Sequence, residues 1–140
     1  MESSAPARVL VVAARTAATP TLIEAVRERA ARGPAAFTLL VPNPTHGLHS
    51  VVDPEDQGTS EAEAIVALAV PLLEEAAGGK VPHLVGDSRP LDAIQDAVNI
   101  QGFDEIILST LPTHVSRWMK LDLPSKVGAL GLPLTTVTPA

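Results

Sequence analysis

Apolar residues along this chain follow two periods that take turns. Short continuous aliphatic runs alternate with stretches in which apolar positions recur every three or four residues. Arg8 to Ala14 (RVLVVAA) predicts a central parallel strand, because a strand covered on both faces has no polar side. Leu22, Ile23, Val26 and Ala30 then form the stripe of a first helix. Thr19 is its N-cap and Pro20 its first helical residue, and Gly33-Pro34 ends it. Phe37 to Val41 is a second buried strand. Ser60-Glu61-Ala62-Glu63 matches a capping box that starts a second helix. Ile65, Leu68, Ala69, Leu72 and Ala76 predict its buried face, Pro71 a kink, and Gly78-Gly79 its end. Val81 to Val85 is a third strand. Gly86-Asp87-Ser88 turns into a third helix that buries Leu91, Ile94, Ala97 and Val98 and stops at Gly102. Asp104 to Thr110 (DEIILST) is a fourth strand. A loop from Leu111 to His114 and a short amphipathic segment with Arg117, Trp118 and Lys120 follow. A last helix starts at Asp122-Leu123-Pro124 and is stopped by Gly131, and Leu134 to Thr138 is a final strand.

Strict alternation of strand and helix implies βαβ units, right-handed crossovers and a parallel sheet. The expected fold class is α/β: one three-layer domain around a five-stranded parallel sheet, over residues 8–140, with a tail over residues 1–7. Pro42 to Thr59 is irregular, rich in proline and glycine, with acids at Asp53, Glu55 and Asp56. It is longer than an ordinary βα connection, which marks it as a lid or a mobile segment. Ligands of such sheets bind at the carboxyl ends of strands where the strand order reverses. With the first and fourth strands as neighbours, that place lies between Ala13 to Thr19 and Ser109 to Asp122.

Composition narrows the class. With 46% hydrophobic residues but only Phe37, Phe103 and Trp118 aromatic, the core is built from Ala, Val, Leu and Ile. The absence of cysteine excludes disulfides and cysteine-ligated metals and permits a reducing compartment. A net charge of −6 argues against a nucleic-acid binder, since no basic face is available to replace phosphate counterions. The first residues carry no basic n-region, and the run from Val9 to Ala14 is too short to span a bilayer. Ile65 to Ala77 is broken by Pro71 and flanked by acids. A soluble, cytoplasmic protein with no membrane contact is the expectation.

Four segments carry a resemblance. Arg8 to Ala14, the Gly86-Asp87 turn with Ala93-Ile94 beyond it, Phe103 to Ser109, and Leu132-Pro133-Leu134-Thr135-Thr136-Val137 stand in an order and spacing that resemble the universal stress protein family over nearly the whole chain. The resemblance implies an adenine nucleotide alpha hydrolase-like, Rossmann-like sandwich. ATP-binding members of the family carry G-x-x-G, a fixed interval, then G-S or G-T. Laid on this chain, the glycine positions fall on Ser109, Pro112 and Asp122, with Thr113 to Leu121 as the interval and Leu123 at the hydroxyl position. The spacing is kept, and the glycines and the small hydroxyl residue are replaced. Those members also carry an aspartate after the first strand, where this chain reads Ala13-Ala14-Arg15-Thr16. Pro112 removes a backbone donor, a side chain at Ser109 narrows the approach to a phosphate, and Asp122 satisfies the positive end of a helix and repels an anion there.

The candidate ligand-binding residues are therefore Ala13, Arg15 and Thr16 after the first strand, Val41 at the end of the second, and Ser109, Thr110, Pro112, Ser116, Arg117 and Asp122 around the fourth. Arg15, Arg117 and Lys120 could converge as an anion site, since arginine suits bidentate anion recognition. The plainer expectation pairs Arg15 or Arg117 with Asp122. The hydroxyls of Ser109, Thr110, Thr113 and Ser116 are expected to satisfy loop and helix-end amides. Trp118 could stack a flat ligand, or plug a loop against the core. His46, His49 and Asp53 have a metal-like spacing, but no rigid element is predicted there and a solvated loop is expected. His114, Ser116 and Asp122 contain the letters of a triad with nothing to fix a geometry. His83 lies in a strand. Glu24, Arg27, Glu28, Arg29, Glu61 and Glu63 read as solvated helix faces. No catalytic residue and no metal site is assigned.

Three readings remain open: a non-catalytic stress-related or regulatory protein with a degenerate nucleotide site; an ATP or AMP binder that uses Arg15, the Ser109 to Ser116 loop and Lys126 in place of glycines; and a protein-partner module with Pro42 to Thr59 as its recognition segment. The resemblance also implies a C2 homodimer through Leu134 to Thr138, an edge strand bounded by Pro133 and Pro139.

Overall fold

The structure, a computed structural model, describes residues 6–43, 54–86, 89–111, 118 and 122–139, with side chains left out over 54–60. Its elements run β1 (Ala7–Val12), α1 (Pro20–Arg32), β2 (Ala35–Pro42), α2 (Pro54–Ala77), β3 (His83–Gly86), α3 (Pro90–Ile100), β4 (Glu105–Ser109), α4 (Leu123–Gly128) and β5 (Leu134–Val137). The sheet order is β3-β2-β1-β4-β5, and every pairing is parallel. The expected α/β sandwich is therefore present, and β1 and β4 are neighbours, so strand order reverses between them.

Alternation along the central strands divides the core. Val9, Val11, Phe37, Leu39, Val41 and Ile107 face α1 and α2. Leu10, Val12, Leu40, Ile106 and Leu108 face α3 and α4, with Ile94, Leu123 and Val127 packed on them. Val9 to Val12 are fully buried, as a strand covered on both faces requires.

Glycine enforces one close approach. At Gly86, the end of β3, a Cβ would stand 2.7 Å from the Ala93 Cβ and 3.2 Å from Leu40 Cδ1. The Gly86 turn thus lets α3 sit down on the sheet. Gly78 (φ 77°) and Gly102 (φ 81°) take the left-handed conformation that ends α2 and α3.

Three expectations need correction. α2 begins at Pro54, not at Ser60, so the irregular region is shorter than Pro42 to Thr59. Pro54 suits a first helical position, and Glu55 and Asp56 then lie in the first turn, where acids favour the helix. Pro71 lies inside the helix. Its buried face is Ala62, Val66, Ala69, Leu73 and Ala76, with Ile65 packed at the side, whereas Leu68 is 65% and Leu72 38% exposed. Finally, Arg29 is not on a solvated face. Its guanidinium forks onto Glu105, donating from Nε and Nη2 to the two carboxylate oxygens at 2.9 Å each. The pair ties the end of α1 to the start of β4, and its hydrogen bond and charge raise the Arg29 pKa against the opposing effect of burial.

Candidate functional site

The carboxyl ends of β1 and β4 form the floor of the switch point. Beyond Val12 the chain turns tightly, with Ala17 N–H donating to Ala14 O and Thr19 N–H to Thr16 O, both at 3.1 Å. The Thr19 hydroxyl donates to Thr16 O at 2.8 Å, so Thr19 is the N-cap of α1 by position but makes no side-chain cap bond. This turn points Thr16 inward. Its Oγ1 lies 2.6 Å from Ser109 Oγ, and both residues are buried. One residue on, the Thr110 N–H donates to Val137 O at 2.9 Å and its Oγ1 lies 3.3 Å from Thr138 Oγ1. The hydroxyls of Ser109 and Thr110 thus meet other hydroxyls across strands, not the loop and helix-end amides expected of them. Sequence reasoning missed the Thr16–Ser109 contact, which joins residues 93 positions apart.

Arg15 is exposed and turned to another partner. Its Nε donates to Glu61 Oε2 on α2 at 2.9 Å, so the expected Arg15 pairing with Asp122 gives way to this one. Exposed pairs of this kind contribute about 0–1 kcal/mol. They leave the cation available to exchange partners. Ala13 and Val41 are wholly buried in the core between sheet and helices α1 and α2, so their side chains are walls of the floor. Pro112, Ser116 and Arg117 lie outside the described residues, as do Thr113, His114, Lys120, His46, His49 and Asp53. Trp118 is half-buried beside the core under α3 and α4. Among the described residues there is no group of three histidines or acids placed to hold a metal ion. None of their helices is long and apolar enough to cross a membrane.

Asp122 stands at the N-cap of α4, as expected, with an unexpected conformation. Its φ of 58° and ψ of 41° are left-handed, and it is the one non-glycine residue at positive φ among the described residues. N-caps that bond the helix amides sit in the β region. Left-handed Asp122 makes no side-chain cap bond, so its carboxylate acts on the helix end only through its charge.

No protein-family model matches the chain, and no curated protein matches it. Solved structures do. A universal stress protein family protein from Burkholderia pseudomallei aligns at 14% identity and a TM-score of 0.66, over 99% of this chain and 100% of that one. The universal stress protein from Archaeoglobus fulgidus in complex with dAMP aligns at 15% identity and a TM-score of 0.60, over 96% and 99%. A family protein from Arabidopsis thaliana with AMP bound aligns at 14% and 0.60, over 96% and 93%.

The fold is that of the universal stress proteins.

Within the universal stress fold, two of the three glycine positions in the frame of the ATP-binding members fall on described residues. Ser109, at its first glycine position, is closed onto Thr16. Asp122, at its third, keeps a backbone conformation that glycine adopts without cost. Leu123, at its hydroxyl position, is buried in the core with Val127. The two hydroxyl oxygens stand 2.6 Å apart, and Asp122 occupies the N-cap of α4.

Proposed function

We propose that this chain is a member of the universal stress protein family that works without catalysis, as a cytoplasmic stress-related or regulatory protein, and that its switch-point site has been converted from a phosphate cradle into packed structure. The contact that carries the reading is Thr16 Oγ1 on Ser109 Oγ at 2.6 Å. Asp122 adds electrostatic opposition to an anion, and buried Leu123 replaces the small hydroxyl residue. Calorimetric titration of nucleotide-stripped protein with Mg-ATP, and with AMP as control, tests it. The wild type is expected to show no heat of binding at millimolar ATP, and Ser109→Gly with Asp122→Gly to gain measurable affinity. Micromolar binding by the wild type overturns the reading. Leu123 is left in place, since serine there would open the core.

A second reading is supported by the similar structures that contain dAMP or AMP: an adenine nucleotide binder that uses side-chain cations and hydroxyls instead of glycine amides. Arg15 would have to leave Glu61 and the hydroxyl pair would have to open. The same titration decides between the two.

The assembly expected for either reading is a C2 homodimer through β5. This strand is an edge of the sheet, Thr135 and Thr136 are exposed on it, and its outer backbone groups face no strand among the described residues. Light scattering at micromolar concentration should give twice the chain mass. A mass near 14.5 kDa counts against the dimer.

A further inference from the structure

We draw no further inference here: the strongest candidate, the apolar strip that Leu68 and Leu72 leave exposed on the outer face of α2, carries nothing, because nothing in the structure shows what covers it.

Discussion

Removing the hydroxyl of Thr16 should cost more than removing the hydroxyls of Thr16 and Ser109 together. Thr16→Val keeps the side-chain shape and deletes one hydrogen-bonding partner. Ser109 Oγ then sits in a residue only 1% exposed, with its 2.6 Å contact gone. A neutral hydrogen bond contributes about 0.5–1.5 kcal/mol net, but an orphaned buried polar atom costs about 1–3 kcal/mol. Ser109→Ala reverses the roles and should cost a similar amount, since Thr16 is 4% exposed. Among the described residues no buried side-chain N or O lacks a partner, so each single variant creates the first. The double variant removes both polar atoms and should lie within about 1 kcal/mol of wild type. Two singles at about 1–3 kcal/mol each, against a double within about 1 kcal/mol of wild type, put the coupling at about 1 kcal/mol or more, with the double variant more stable than the sum of the singles predicts. Urea unfolding of the four proteins measures it, given one two-state transition and a constant m value. Strictly additive effects, within about 0.5 kcal/mol, would refute the claim that these hydroxyls satisfy each other.

Two further outcomes follow from packing and charge. Gly86→Ala should destabilise by about 1–3 kcal/mol, because its methyl would stand 2.7 Å from the Ala93 Cβ; calorimetric melting showing no loss would mean that α3 is free to move off the sheet. Arg29→Met should cost about 1–3 kcal/mol by stranding Glu105, against about 0.5 kcal/mol or less for Arg27→Met, whose ion pair with Glu24 is half exposed; equal urea midpoints for the two variants would refute the difference. Folding raises the Arg29 pKa, so its contribution is complete at neutral pH and is lost only in strong alkali.

The sheet and its helices were legible because their signals are local. Continuous aliphatic runs gave β1, β2 and β4, and Gly33, Gly78 and Gly102 marked helix ends that the backbone confirms. The buried face of α2 was not legible, since Ala64 to Leu73 is apolar on every side and a period cannot choose a face when all faces qualify. The start of α2 was hidden by Pro54 and Gly58, which read as loop residues. The switch point itself followed from alternation and the neighbouring of β1 and β4, yet its contents did not. Thr16 meets Ser109, and Arg15 meets Glu61, across distances in sequence that no local pattern spans.

On the proposed function, the positions that hold glycine in ATP-binding members form a reassigned site, not an eroded one. Erosion would leave voids and unpartnered polar atoms where a ligand had been. Instead Ser109 has Thr16 as its partner, and Leu123 fills the core between α3 and α4. Asp122 is the sharpest case. Its backbone keeps a left-handed conformation that most side chains resist and that glycine, asparagine and aspartate tolerate best. On that proposal, the turn into α4 carries a carboxylate where ATP-binding members carry glycine, in a backbone conformation that glycine also adopts. Among the described residues, the buried side-chain groups at the switch point find partners within the protein itself.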